Sequence, residues 1–406
     1  MPRPTRRLTA ALAVAASAAV AAIPAAASPT HVPGYTTNCP TATNLVAGTH
    51  WTTHHLAPGV VLHEGRHHGR EGYVRMHVLT ADVTDPHLAF RPLMRSVTSR
   101  HPLTSYSGRR RLVAATNAGY FDLRTGAPIG PTVVAGRPLL GRTAPLGRAM
   151  LTSSVSTNLV GFGRDGLMES AHVSVAGDVE ARAGRQQLAG LNTSRPQFGI
   201  TAYTSSWGRT PIVWSRDSVG RYVHRGFLSV PSRRHHHAIR VHRAPRAGYL
   251  LVARGVDAVR WLRSLRPATR MRLHIEMRSD AVQPLRVGYA VGGRITANGE
   301  GLDGLTCPSR YPQPARTAIG YADGGSRLIL VSVDDNPRTP LHGLDSVQLG
   351  HVMADLGATD AWLFDGGGST TMVTRMHPHA RHLSLRTRTA ERGQRPIPLG
   401  FGIFRR

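Results

Sequence analysis

The stretch Thr359–Val373, TDAWLFDGGGSTTMV, brings a carboxylate, three glycines and three hydroxyls together. Apolar Ala361–Phe364 ends in Asp365, and Gly366, Gly367, Gly368, Ser369, Thr370 and Thr371 follow at once. Apolar residues bounded by a glycine cluster read as a buried strand opening into a tight turn. Consecutive backbone N–H groups in such a turn form an anion-holding nest, with Asp365 beside it at the strand's carboxyl end. A carboxylate next to a phosphate seat suits chemistry on a phosphorylated substrate. A structural turn capped by an aspartate gives the same local pattern, so the motif needs partners from elsewhere.

Several polar clusters end strand-like runs in the same way. Asn117 and Asp122 bracket the AGYF turn, Arg316 and Thr317 precede Ala318-Ile319-Gly320, and Asp334-Asp335 follow RLILVSV. If these ends converge, they supply carboxylates for acid/base work and a guanidinium that grips phosphate through two parallel hydrogen bonds. Taken singly, Asn117 is an ordinary turn residue and Arg316 an ordinary surface charge. Asp334, next to Asp335, is a weak candidate ligand for a divalent cation such as Ca or Mg that would neutralise a phosphodiester. No other cofactor is called for. His235–His237, within SRRHHHAIRVHR, reads as an exposed basic loop, because adjacent side chains of an extended segment point alternately and preorganise no metal site.

The elements that must position these groups are mixed. Val74–Val83, Arg111–Thr116, Leu159–Phe162, His172–Val175, Ile200–Tyr203 and Tyr249–Ala253 read as strands. Val256–Leu265 reads as a short helix with Val259, Leu262 and Leu265 on one face. Arg327–Val333 is a strong buried-strand signal. Leu344, Val347, Val352, Met353 and Leu356 outline a helical face that Gly357 terminates, and Ala361–Phe364 returns as a strand. These lengths predict a strand-helix-strand unit of βαβ type, with Asp365 outside the carboxyl end of a parallel strand. The fold class expected is α+β or mixed α/β, with mixed sheets and short helices.

Arg3, Arg6 and Arg7 precede a small-residue apolar run, Leu8–Ile23, and Ala25-Ala26-Ala27 supplies a cleavage site. Residues 1–27 read as a secretory signal peptide, and no later segment is long and apolar enough for stable membrane insertion. Residues 28–73 read as an N-terminal arm and 74–406 as one catalytic domain, with 213–270 as an inserted basic region. The net charge of +27 favours polyanions. Export directs that preference to anionic cell-wall glycans, and no nucleic-acid-binding module is evident. Scattered solvated arginines explain much of the charge without any ligand. Cys39 and Cys307 are the two cysteines, and in an oxidising compartment they predict one disulfide.

As a set, NAGYFD at Asn117–Asp122, RTAIG at Arg316–Gly320, LILVSVDD at Leu328–Asp335 and LGATDAWLFDGGGSTTMV at Leu356–Val373 resemble the phosphodiester glycosidase family. That family includes the mannose 6-phosphate uncovering enzyme. The resemblance runs from about Val74 through Val373, and LNTSRPQFGITAYTSSWG at Leu191–Gly208 is similar to a segment of secreted bacterial relatives. It implies a mixed α/β catalytic domain that removes a sugar from a sugar-1-phosphodiester. It places Asn117, Asp122, Arg316, Asp365 and Ser369 along the cleft, with Asp365 and Asp122 as the catalytic carboxylates. Arg316, Thr317, Asn117, the Gly366–Gly368 backbone, Ser369 and Thr370 are the expected phosphate and substrate contacts. Asp335 and Asn336 stand where many relatives carry a glycine and a basic residue, so the leaving-group contacts should differ. The expected activity is a secreted hydrolase acting on a cell-wall, capsular or exopolysaccharide glycan. The competing readings are a phosphodiesterase breaking P–O and a non-catalytic binder of phosphate-containing wall polymer.

Overall fold

RLILVSV at Arg327–Val333 is buried from Leu328 onward. A run apolar on both faces needs cover on both, and it has it. The strand is central in an eight-stranded sheet ordered His50–Ala57, Val60–Gly69, Gly72–Asp82, Arg327–Val333, Arg316–Ala322, Asp360–Leu363, Arg294–Ala297, Glu300–Gly301. One face packs Ile329, Val331, Ala318 and Ile295 under Leu349, Val352 and Met353 of the helix Ser346–Asp355. The other packs Leu62, Leu79, Leu328, Leu330 and Trp362 against Val113, Ala114, Met372, Phe401 and Ile403. These last residues belong to a five-stranded antiparallel sheet ordered Ser384–Leu385, Met372–Thr374, Leu112–Asn117, Gly400–Arg405, Leu88–Leu93. Two sheets thus share one apolar layer.

The computed structural model describes residues 35–36, 45–69, 72–142, 158–229, 239–305, 307–308, 313–336, 338–391 and 393–406, all within one compact unit, 34–406. The signal-peptide segment 1–27 and the His235–His237 run lie outside the described residues. Among the described residues, no helix is long and apolar enough to cross a membrane.

The mixed α/β class holds, with few short helices, large sheets and the C-terminal strand-helix-strand. One detail of that unit differs from the sequence reading. Its strands, Arg327–Val333 and Asp360–Leu363, are not neighbours, because Arg316–Ala322 lies between them and runs antiparallel to both. The short Asp323–Gly325 turn makes a hairpin of Arg316–Ala322 and Arg327–Val333, which occupies the edge that a simple crossover would have used. The helix begins on a capping box between Asp345 and Gln348 and ends at Gly357, whose φ of 85° needs a glycine.

Residues 50–69, read from sequence as arm, form the first two strands of the eight-stranded sheet. Within the 213–270 region, Val219–His224 and Tyr249–Arg254 extend an eleven-stranded sheet, and the helix Val256–Ser264 packs Val259 and Leu262 onto it. Part of that sheet closes on itself: Met168–Ala181 pairs with Gly184–Leu191 as well as with Asn158–Phe162. Its parallel pairing joins Gly184–Leu191 to Gly199–Thr204. The expected Cys39–Cys307 disulfide is corrected: none is present among the described residues, where Cys39 is not included. Cys307 stands opposite Thr36 in a two-residue strand pairing.

A buried ionic chain ties the eight-stranded sheet to the C-terminal segment. His77 sits between Glu64, 3.1 Å from Nδ1, and Asp334, 3.3 Å from Nε2. Glu64 also pairs with Arg386, while Asp334 accepts the Arg388 amide at 2.9 Å. The His77 hydrogen bond, opposed by burial and aided by Arg386, draws Glu64 down to about 2. Burial alone would lower His77, but its bonds to Asp334 and Glu64 outweigh that and leave it raised. Ionised Glu64 therefore stabilises the fold above its unfolded value of 4.5, and the contribution is lost as pH falls toward 2. The protonated His77 contribution has the opposite sense, complete below 6.5 and lost as pH rises through the raised value. Glu64→Gln should cost about 2 kcal/mol in urea unfolding at pH 7. The deficit should narrow once the pH falls below 4.5; an equal deficit at all pH values would show that shape, not charge, matters there.

Candidate active site

Asn117, at the end of the Leu112–Asn117 strand, is fully buried and joins the two central sheets. Its Oδ1 accepts the Thr317 hydroxyl at 2.8 Å and the Thr371 amide at 3.0 Å. Its Nδ2 donates to the Asp365 carbonyl at 2.6 Å. Ala318 pairs with Leu363, and the Phe364 amide donates to the Thr317 carbonyl at 2.9 Å, so Arg316 and Asp365 leave the sheet side by side. Val333 pairs with Arg316, which brings Asp334 to the same sheet end. The strand ends that carry Asn117, Arg316, Asp334 and Asp365 therefore lie together.

Asp365 is partly buried at the mouth of the glycine turn. Its Oδ1 accepts the Gly366 amide at 3.0 Å, and Ser369 hydrogen-bonds the same carboxylate. Burial pushes the carboxyl above the ordinary aspartate range. Ser369, the Gly366 amide and the guanidiniums of Arg395 and Arg316 oppose that rise without cancelling it. An aspartate held in this way combines charge with unusual basicity.

Four amides of the turn are already paired within the protein. Gly366 N–H goes to Asp365 itself, Gly367 N–H to the Ala315 carbonyl at 2.7 Å, Ser369 N–H to Gly366 and Thr370 N–H to Gly367. A nest needs amides free to face a ligand, and these face protein acceptors. The glycines instead permit the path: Gly367 has φ of 56°, and a Cβ at Gly368 would lie 2.2 Å from the Glu391 carboxyl carbon. Arg316 lies against this turn, its Nη1 3.4 Å from where a Cβ of Gly366 would sit, while its Nε donates to the Leu344 carbonyl.

The Asp122 carboxylate is engaged locally. Its Oδ1 accepts the Arg124 and Thr125 amides at 2.8 and 3.0 Å, and its other oxygen lies 3.8 Å from the Arg124 guanidinium. It organises its own turn. Asp334 does not fit a cation ligand either, since its oxygens meet His77, Arg75 and the Arg388 amide. Asp335 accepts the Ala390 amide at 2.7 Å. Among the described residues no group of three or more His, Cys, Asp or Glu side chains could hold a metal ion.

Two residues absent from the sequence reading complete the site. Arg395 Nη1 donates to the Ser369 hydroxyl at 3.1 Å, and its Nε and Nη2 both engage Glu391. Beside them opens a cleft of about 250 Å³ whose lining includes Asn336, Thr370, Thr371, Thr387, Arg388 and Glu391. Contacts run from the cleft to Asp365 through Glu391, Arg395 and Ser369.

Residues 243–404 match the family model described as phosphodiester glycosidase. The match covers less than half of the chain and marks a likeness to that family over this stretch. The matched stretch holds Arg316, Asp365, Ser369, Glu391 and Arg395, whereas Asn117 and Asp122 lie outside it. The chain is similar to a hypothetical protein from Synechocystis at TM-score 0.65 and 20% identity, over 88% of this chain and 64% of that one. A putative exported protein from Burkholderia pseudomallei aligns at TM-score 0.61 and 19% identity, over 82% and 74%. The zebrafish N-acetylglucosamine-1-phosphodiester alpha-N-acetylglucosaminidase catalytic domain, auto-inhibited by its pro-peptide, aligns at TM-score 0.43 and 15% identity, over 88% and 89%. The chain thus spans 64% of the Synechocystis protein, and at such identities the likeness is one of fold. A search of curated proteins gives no match.

Asn117→Ala would leave the Thr371 amide, the Thr317 hydroxyl and the Asp365 carbonyl without their partner. We expect a loss of about 2–4 kcal/mol in urea unfolding together with loss of activity. Asn117→Asp keeps the acceptor but not the donor to Asp365, and should recover part of that stability. Equal losses in both variants would show that the bond to Asp365 dominates the junction.

Proposed function

We propose that this protein hydrolyses sugar-1-phosphodiesters at the glycosidic bond. The observation that supports the reading most is Asp365, a burial-raised carboxyl on a glycine turn between two guanidiniums, inside the stretch matched by the family model. Water adds to C1 of the sugar, the C1–O bond breaks, and the phosphate leaves on the acceptor as a monoester. A phosphomonoester is a fairly good leaving group, so one well-placed carboxylate can serve where ordinary glycosidases need a strong acid as well. Asp365 acts at the sugar, as base or nucleophile. Arg316 holds a phosphodiester oxygen, and the Ser369 and Thr370 hydroxyls extend the contact, with Thr317 and Asn117 fixing the turn that carries Asp365. Gly366, Gly367 and Gly368 shape that turn. Asp122, bound up in its own turn, is a positioning residue in this reading and not the second carboxylate.

The exported setting rests on the N-terminal segment with its arginines, apolar run and Ala25-Ala26-Ala27 site. A net charge of +27 favours a polyanionic substrate, which in that setting means a phosphate-bearing wall, capsular or extracellular glycan. Phosphorus NMR of the products from a sugar-1-phosphodiester tests the bond assignment. The expected products are a free reducing sugar and an acceptor phosphomonoester. Sugar 1-phosphate as the first product would establish P–O cleavage instead.

Asp365→Asn should lower turnover at least about 100-fold with the fold retained, as expected for losing positioned acid/base assistance. Because burial raises this carboxyl, its ionised form opposes folding at neutral pH, and the penalty is relieved as pH falls. The variant should therefore unfold no earlier than the parent at pH 7. The acid limb of kcat/KM in the parent should lie above 3.8, the ordinary aspartate value. A folded Asp365→Asn with near-parental single-turnover chemistry would remove Asp365 from the reaction.

A further inference from the structure

Arg395 is the best-placed cation beside the Asp365 turn, yet its fork is already taken. Glu391 engages it through Nε at 3.0 Å and through Nη2, leaving Nη1 for the Ser369 hydroxyl at 3.1 Å. A carboxylate meeting a guanidinium through two parallel bonds has the shape of a phosphate presenting two oxygens. The pair lies directly on the glycine turn, since a Cβ at Gly368 would come within 2.2 Å of Glu391 Oε1 and 2.5 Å of Arg395 Nη2. Glu391 is exposed and its side chain is 42% accessible, against 27% for Arg395, so the carboxylate is the partner free to leave. The neighbouring cleft wall holds two further polar atoms without partners, the Thr370 hydroxyl and Gln394 Nε2, both buried. Buried polar atoms of that kind mark a wall that a polar ligand completes.

We infer that Arg395 is a phosphate-binding residue and that Glu391 is its placeholder, displaced when the phosphate group of the substrate takes the guanidinium fork. The exchange favours anionic substrates. A neutral glycoside that moved Glu391 aside would leave Arg395 unpaired beside Asp365, whereas a phosphodiester replaces one bidentate anion by another. Glu391 thus sets a threshold that weak or neutral ligands do not pass. This inference rests on the phosphodiester reading for the identity of the ligand, but its test does not depend on turnover.

Inorganic phosphate is the probe, titrated calorimetrically against the full chain at fixed ionic strength. Glu391→Gln should bind it at least about fivefold more tightly than the parent, and adding Arg395→Gln should erase the gain. Glu276→Gln removes a carboxylate that pairs with Arg278 on an exposed strand, and it controls for the general charge of a basic protein. Arg395→Lys keeps the charge without the fork and should recover little of the binding. With a phosphodiester substrate, Glu391→Gln should lower KM. An affinity for phosphate in Glu391→Gln within twofold of the parent, or an equal gain in Glu276→Gln, overturns the inference. So does a 100-fold fall in kcat without tighter phosphate binding, which would make Glu391 a participant in bond breaking. Tighter phosphate binding in Glu391→Gln, lost with Arg395, supports the placeholder even if phosphorus NMR shows P–O cleavage. Glycosidic cleavage with no change in phosphate affinity keeps the proposed reaction and removes the placeholder.

Discussion

The structure depends on the Asn117 side chain more than on any other single group. A carboxamide buried between two sheets must satisfy an acceptor and a donor there, and Asn117 does so with three partners from three segments. Thr317 belongs to the eight-stranded sheet, Thr371 precedes a strand of the five-stranded sheet, and the Asp365 carbonyl begins the turn between them. The shared apolar layer fixes the sheets against each other without direction, through Leu328, Leu330, Phe401 and Ile403. The asparagine converts that loose constraint into a register. Asp365 can then be partly buried and still keep a fixed orientation, because its backbone is held on both sides.

That placement has an electrostatic consequence. Burial raises the Asp365 carboxyl, and the Ser369 hydroxyl, the Gly366 amide and the two guanidiniums hold the rise in check. A carboxylate nearer the guanidiniums would be a weaker base, and one without them would be raised further. Arg316 comes from a strand beginning in the same sheet and Arg395 from the C-terminal segment, so the balance requires both parts of the chain. The buried chain Glu64–His77–Asp334 serves this balance from a distance. By accepting the Arg388 amide, Asp334 anchors the segment that carries Glu391 and Arg395 toward the turn.

Much of the inner architecture was legible in the sequence because its signals are local. RLILVSV announces a buried strand, the spacing of Val347, Val352 and Met353 a helix, and DGGGS a strand end in a tight turn. Asn117, Arg316 and Asp365 stood out because each closes or opens such a strand. The edge strands were not legible: HWTTHHLA at His50–Ala57 alternates no apolar face and is largely exposed. Arg395 and Glu391 were missed for another reason. They sit in ERGQRP, an irregular segment among 50 basic residues, and only the closure of the sheets shows which arginine faces the site. Asp122 shows how an aspartate beside a turn serves its amides, a use that the residue type alone does not reveal.

The glycine triplet has a packing role that its sequence pattern did not show. Three consecutive glycines suggested free amides around an anion, yet the amides of Gly366 and Gly367 are committed to Asp365 and Ala315. What the missing side chains provide is access. At Gly367 the backbone adopts a left-handed conformation, and at Gly368 the absent Cβ leaves room for an ion pair to lie on the turn. In the proposed reading the anion seat is built from side chains on a glycine floor, with Arg395 against Gly368 and Arg316 against Gly366. A seat of side chains can be occupied by another side chain, as Glu391 occupies this one, which a rigid nest of amides could not so readily allow. The same three glycines that hold Asp365 in place thus leave the site open to control by a single exposed carboxylate.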